Sequence, residues 1–127
     1  MPAYDGLTPY KAIVAVEAAV EREWQWRMSQ WLVESGCLYM MAWGNDCSSW
    51  DDSVDYANME QFDYGEIPDD QNVMTTWHER ETIGQVFDFA KRHARLSNEA
   101  IELRETVVFH VSAVDRQKEF EVLYAAA

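Results

Sequence analysis

Cysteine, glycine and proline are all scarce in this chain of 127 residues, which holds two, five and three of them, respectively. Two cysteines are too few for a disulfide framework. We interpret the segment between Cys37 and Cys47 as mostly extended, so the two sulfurs should lie beyond bridging distance. We therefore expect two free thiols, as in a reducing compartment.

Several functional sequence signals are absent. None of the glycines lies in a G-x-G-x-x-G or G-x-x-x-x-G-K-[ST] pattern, and the chain has no G-x-S-x-G motif. Nucleotide binding through a standard fingerprint and a hydrolase nucleophile elbow are therefore unsupported. The first residues lack the pattern of a signal peptide, and no apolar run approaches the roughly 18 residues of a membrane span. We expect a cytoplasmic protein with no membrane contact.

Positively charged residues are also few. Lysine and arginine total 10, against 23 aspartate and glutamate residues, which gives a formal net charge of −13. A field of that sign repels nucleic-acid backbones, so we expect no nucleic-acid partner. A protein partner or a small molecule stays open, although the charge could simply serve solubility.

Apolar and aromatic residues are plentiful enough for one core. Hydrophobic residues make up 48% of the chain, with six Trp, six Tyr and five Phe. A chain of this size and composition predicts a single domain over residues 1–127. Residues 1–9 hold two prolines and a glycine and should form an irregular lead-in.

The spacing of apolar residues predicts alternating strands and helices. Short apolar runs predict strands at residues 10–16, 37–43, 72–77 and 106–111. Three- and four-residue spacings predict helices at residues 19–34, 51–62, 79–96 and 115–127. This pattern predicts a three-layer Rossmann/flavodoxin-like α/β domain with a mostly parallel four-stranded sheet, in the order 2-1-3-4.

Two finer predictions concern the helices. The first helix should bury Trp24 and expose Trp26, because the two side chains lie about 200° apart at about 100° per residue. Thr76 followed by Glu79 resembles a capping box at the start of the third helix.

The carboxyl ends of parallel strands share one edge of a sheet, where α/β proteins bind ligands. The sequence places polar and aromatic side chains just after all four predicted strands. They are Glu17, Asp46, Cys47, Ser49, Asp51, Asp52, Thr76, Trp77, His78, Glu79, and His110 or Ser112.

One functional interpretation of this edge is a divalent-cation site, with a divalent cation as the candidate cofactor. Asp46, Asp51, Asp52 and Asp55 lie in what we predict to be a polar loop continuing into a short helix, and carboxylate oxygens suit hard cations. The spacing is not that of an EF-hand. The alternative is a solvated loop whose aspartates cap the following helix.

A second interpretation is acid–base chemistry. The candidate catalytic residues are Glu17, Asp51, Asp52, His78 and Glu79. Cys47, with His78 as its base, is a weaker candidate, because nearby acidic groups raise the pKa of a thiol and oppose its activation. His78 could equally have a structural role at a helix start. The cysteines and histidines lack the short paired spacings of zinc sites.

A third interpretation is ligand binding by aromatic and polar side chains together. The candidates are Trp43, Asp46, Ser49, Trp50, Thr76 and Trp77. The indole rings could stack on a base or a sugar, or they could belong to the core.

Three stretches carry a resemblance to a known family. CLYMMAWG and DCSSWDDSVD lie within residues 37–55, and VMTTWHE spans residues 73–79, with GEIPDD between them. The chain resembles, over roughly residues 10–110, an uncharacterised family of small bacterial proteins described as a domain of unknown function. The resemblance implies a bacterial origin and carries no activity, cofactor or catalytic residue.

The sequence thus favours a non-enzymatic binding or regulatory domain that uses the acidic, Trp-bearing carboxyl edge of its sheet. The alternative is a small metal- or acid/base-dependent enzyme acting on a nucleotide-like or other small molecule at that edge. A deep pocket around His78 would favour the enzyme, and a flat edge with Trp26 or Trp50 exposed would favour the binder.

Overall fold

A computed structural model describes residues 9–98 and 100–127 of the chain. Apart from Pro9, the lead-in predicted for residues 1–9 lies outside the described residues. The elements in chain order are β1 (Tyr10–Val16), α1 (Arg22–Ser35), β2 (Cys37–Gly44), α2 (Cys47–Gln61), a 3₁₀ turn (Asp69–Gln71), β3 (Met74–His78), α3 (Ile83–Arg92), β4 (Glu105–Val111) and α4 (Gln117–Ala126).

The four strands form one all-parallel sheet in the order β3-β2-β1-β4. The α/β fold is therefore confirmed, and the predicted order 2-1-3-4 is wrong. The chain winds from β1 through β2 to β3, and then crosses back to place β4 on the free side of β1. This order matches the first four strands of the Rossmann arrangement, in which the winding direction reverses between strands 1 and 4.

The helices cover both faces of the sheet. The apolar side chains of α1 and α2 join one hydrophobic cluster, and those of α3 and α4 join another. All seven residues of β1 are buried, and six of the eight in β2 are buried as well. The edge strands are more open, because each has a strand neighbour on one side only.

Helix α2 begins earlier than the sequence predicted. Residues 47–50, expected in a polar loop before a helix over residues 51–62, form its first turn. Asp46 precedes the helix in a left-handed conformation with φ of 50°, and its side chain makes no cap hydrogen bond. The prediction failed here because this helix has only a weak apolar stripe, with Trp50, Val54 and Ala57 buried.

The predicted capping box is also wrong. Thr76 lies in β3, and α3 begins several residues later at Ile83. Its capping box joins Thr82 and Gln85: the Gln85 amide donates to the Thr82 hydroxyl at 3.1 Å, and the Thr82 amide donates to the Gln85 side chain at 2.8 Å.

The tryptophans of α1 are placed the other way round from the prediction. Trp24 is 38% exposed, whereas Trp26 is partly buried against the core. Trp24 lies in the first turn of the helix, where its ring meets that of Trp50 edge-on at a centroid distance of 6.2 Å. Within the described residues, no helix is both long and apolar enough to cross a membrane.

Candidate functional site

The all-parallel sheet brings the carboxyl ends of its four strands to one edge, as predicted. Two histidines stand there in separate surroundings. His110 lies one residue before the end of β4, beside Glu17, and His78 ends β3 beside Glu81. We name these surroundings the His110 cluster (Glu17, His110, Arg116 and Glu119) and the His78 cluster (Thr76, His78 and Glu81).

The His110 cluster joins β1, β4 and the start of α4. Nε2 of His110 lies 2.7 Å from one carboxylate oxygen of Glu17, and Arg116 donates to the other. Arg116 also donates two hydrogen bonds to Glu119, at 2.9 and 2.7 Å. This bidentate pairing raises the pKa of Arg116 and lowers that of Glu119. The cluster is a hydrogen-bonded network that ties the start of α4 to β1 and β4, where the winding of the sheet reverses.

A cavity of about 790 Å³ opens beside this cluster, between β4 and α4. Its apolar wall includes Val108, Phe120 and Tyr124. The polar groups in its lining include His110 and Ser112, from the carboxyl end of β4. Ser112 is the residue that the sequence placed just beyond the fourth strand.

The His78 cluster lies at the other side of the sheet. Nδ1 of His78 is 2.7 Å from a carboxylate oxygen of Glu81, and Nε2 is 2.9 Å from the hydroxyl of Thr76. The imidazole is buried against the ring of Phe89, with centroids 4.8 Å apart. His78 is the last residue of β3, so the predicted position at a helix start is wrong.

Glu81 was missed at the sequence level, where Glu79 was named instead. Glu79 is exposed, whereas the turn brings Glu81 back to the imidazole. Arg80 in this turn has a φ of 63°, a left-handed conformation that non-glycine residues rarely adopt. The indole of Trp43 donates to the Glu81 carbonyl at 2.7 Å and holds the turn against β2. Only the spacing of three residues between His78 and Glu81 could have suggested the pair.

Three of the predicted ligand-binding residues line a second, smaller cavity. Asp46, Ser49 and Trp50 border a space of about 290 Å³ between the loops that follow β1 and β2. The Ser49 hydroxyl accepts from the Gln25 side chain at 2.8 Å and donates to the Asp46 carbonyl at 2.7 Å. Trp50 is buried in the core, so it offers no flat aromatic surface.

The remaining predicted ligand residues lie around β3. Thr76 belongs to the His78 cluster, Trp43 supports the turn beside it, and Trp77 is about half exposed. The six residues therefore divide between two places and form no single site.

The four aspartates proposed for a cation also separate. Thr75 of β3 donates to Asp51 and lies 3.1 Å from a carboxylate oxygen of Asp55, while Asp52 is exposed. Burial and the neighbouring Asp51 charge raise the pKa of Asp55. Among the described residues, no three His, Cys, Asp or Glu side chains are arranged to hold a metal ion.

Both cysteines are free, as expected, and both are buried. Burial raises the pKa of the Cys47 thiol, and the charges of Glu79 and Asp46 raise it further. The acidic surroundings thus oppose thiolate formation, in the direction that the sequence indicated. The geometry pairs His78 with a hydroxyl and a carboxylate through its two ring nitrogens, rather than with this thiol.

The comparisons with known proteins give one match. The family model described as Domain of unknown function (DUF7684) matches residues 1–127, so the chain belongs to that family. The match extends beyond residues 10–110, over which the resemblance was recognised from the sequence. No curated protein and no solved structure matches the chain.

Proposed function

We propose that this member of the DUF7684 family is a ligand-binding domain that holds a small molecule in the cavity between β4 and α4. The observation that carries the proposal is the cavity itself, about 790 Å³, which runs along β4 from Thr106 to His110 and reaches the carboxyl end of the strand beside Ser112. Pockets for small ligands commonly measure about 300–1,000 Å³ and combine apolar walls with a few polar groups.

The position of the cavity supports the proposal. It borders β4, and β4 and β1 are the strands between which the winding direction reverses. In open α/β sheets, ligands bind in the crevice outside the carboxyl ends of the strands at such a reversal. The Glu17 amide donates to the Val111 carbonyl at 2.8 Å, which fixes the ends of these two strands relative to each other.

The cavity lining suggests a neutral or cationic ligand with an apolar body. Phe120 and Tyr124 offer aromatic surface, while Asp115 and Glu121 bring negative charge. None of the twelve described residues that line the cavity is a lysine or an arginine. A buried anion would therefore lack the cationic partner that its desolvation requires.

Phosphate-bearing ligands are disfavoured at the neighbouring loop. In dinucleotide-binding domains, the helix after the first strand receives a phosphate at its N-terminus. Here that loop and helix start carry Glu17, Glu21 and Glu23, whose charge would repel a phosphate. This acidic start argues against a dinucleotide even though the strand order is the Rossmann one.

A fragment titration followed by amide NMR tests the proposal. We expect benzylamine and phenol to shift the amide signals of β4 and α4 at millimolar concentration, and benzoate to leave them unchanged. Val108→Trp fills the cavity and should abolish the shifts. Val122→Trp, on the exposed side of α4, is the matched control and should retain the amide shifts. Shifts absent from β4 and α4, or unaffected by Val108→Trp, would refute the site.

We also infer a reducing, cytoplasmic setting in a bacterium. The free, buried thiols of Cys37 and Cys47 support the compartment. The bacterial origin rests on the sequence resemblance alone.

A further inference from the structure

The geometry points to a second site, in the His78 cluster, where the Thr76 hydroxyl acts as a nucleophile towards carboxylic esters. His78 takes its proton, and Glu81 orients the imidazole. These residues do not line the cavity between β4 and α4, so this inference is independent of the ligand-binding proposal.

The order of donors follows from the chemistry of the three groups. An ionised carboxylate only accepts hydrogen bonds, so Nδ1 of His78 must donate to Glu81 across the 2.7 Å contact. In a neutral imidazole the other nitrogen is then an acceptor. The Thr76 hydroxyl, 2.9 Å from Nε2, must therefore donate to it. A hydroxyl whose proton points at a basic nitrogen is set up for nucleophilic attack.

The imidazole is held in this orientation by its surroundings. His78 is buried, and its ring packs against Phe89. The left-handed turn at Arg80 and the hydrogen bond from Trp43 place Glu81 opposite Nδ1. Backbone strain of this kind tends to concentrate at functional sites. Glu81 is thus a positioning residue, in the role that a carboxylate has in a hydroxyl–histidine–carboxylate triad.

The hydroxyl belongs to an edge strand of the sheet. Thr76 is partly exposed on an edge strand, on the sheet face covered by α3. Met74, two residues earlier on the same face, is 43% exposed. An ester could therefore approach from the open side of β3, as a small activated ester or as a group on a larger molecule.

The reaction balances as hydrolysis of an ester by water. The Thr76 oxygen bonds to the acyl carbon while its proton moves to Nε2 of His78. The ester C–O bond then breaks, and the departing alcohol takes that proton. Water attacks the acyl-Thr76 ester and gives a proton to His78, which returns it to Thr76 as the carboxylic acid leaves. No electrons are transferred.

Acetylation by p-nitrophenyl acetate, with the modified residue located by tandem mass spectrometry, tests the site. We expect an acetyl group on Thr76, and slower labelling in acid, where a protonated His78 cannot accept the Thr76 proton. Thr76→Ser should keep the labelling and Thr76→Val should abolish it. Thr75→Val is the matched control, because Thr75 lies on the same strand but faces α2. In this variant Thr76 should be acetylated as fast as in the native protein.

Glu81→Gln tests whether Glu81 orients the His78 imidazole for proton transfer or only supports the fold around it. We expect labelling of Thr76 to slow about 10- to 100-fold with a displaced pH profile, while Glu81→Asp restores part of the rate. Native protein that neither carries acetyl on Thr76 nor releases p-nitrophenol faster than Thr76→Val, or equal labelling in folded Glu81→Gln, would overturn the inference. ¹⁵N NMR of the native protein gives a second test, since a neutral His78 that carries its proton on Nε2 would overturn it as well.

Discussion

The His78 and His110 clusters use the same two residue types in different ways. Each histidine lies at the carboxyl end of an edge strand, 2.7 Å from a glutamate oxygen. Glu17, however, also accepts a hydrogen bond from Arg116, whereas the second partner of His78 is the Thr76 hydroxyl. In the His110 cluster, the arginine pairs with the glutamate carboxylate and joins the start of α4 to β1 and β4. In the His78 cluster, the histidine–glutamate pair contacts the Thr76 hydroxyl instead, and this arrangement favours proton transfer from the hydroxyl to the imidazole.

Gly44 lies at the carboxyl end of β2, next to β1, and its replacement should disturb both clusters. A Cβ on Gly44 would stand 2.0 Å from the Val16 carbonyl oxygen, at a φ of 97°. We expect Gly44→Ala to lower the free energy of unfolding by about 3 kcal/mol or more, because backbone has to move. Urea denaturation measures the loss.

The matched control for this change is Gly84→Ala in α3. A Cβ there meets only the Thr82 hydroxyl, at 3.8 Å. It should raise stability by about 0.5–1 kcal/mol, as alanine does within a helix. Equal effects of the two substitutions would mean that the strand ends are not closely packed.

Replacing Glu17 and Glu81 in turn tests whether the two clusters contribute differently to stability. Glu17→Gln should cost about 1–2 kcal/mol, because it leaves the partly buried His110 and Arg116 with a weaker acceptor. Glu81→Gln should cost only about 0.5 kcal/mol, because Glu81 is 41% exposed. Urea midpoints at pH 7 compare them. A larger loss for Glu81→Gln would show that the His78 cluster is mainly structural.

The smallest expected effect is on the melting temperature, and it comes from Asp55, which lies against the face of β3 opposite the His78 cluster. The pKa of Asp55 is raised in the fold, so the folded protein holds this proton more tightly than the unfolded chain does. The resulting gain in the free energy of unfolding is fully present below the unfolded pKa near 3.8. That contribution is lost as pH rises through the folded value. Asp55→Asn should therefore match the native melting temperature near pH 3 and exceed it by about 1–3 °C at pH 7.

The exposed Asp52 provides the control for this pH series. Asp52→Asn should give a smaller change with pH than Asp55→Asn, because a solvated carboxylate is screened. A fall in melting temperature at pH 7 for Asp55→Asn would contradict the repulsion between Asp51 and Asp55.

Much of the fold was predictable from local patterns. The strand β1 was predicted with its observed bounds, and β2 and β4 to within one residue at one end. Continuous apolar runs identify strands buried on both faces, because every residue there meets a helix or a strand. Helix α2 was predicted four residues short at its start, because its apolar stripe is weak and its first two turns are rich in Ser and Asp.

The candidate sites were predictable only in part. His78, Thr76, Glu17 and His110 were all placed at the carboxyl edge by the strand pattern alone. Their partners Glu81 and Arg116 were not, because one depends on a left-handed turn and the other on how α4 returns to β1. No local periodicity encodes either contact.

The sequence by itself determined the α/β class, the parallel strands and the set of polar residues at their ends, since these follow from the chemistry of neighbouring residues along the chain. Only the tertiary structure decided the strand order, and with it the pairing of Glu17 with His110 and the cavity beside β4. The pairing of Glu17 with His110 joins residues 93 positions apart. Their placement depends on which face each helix covers, and the packing of the whole chain sets that choice.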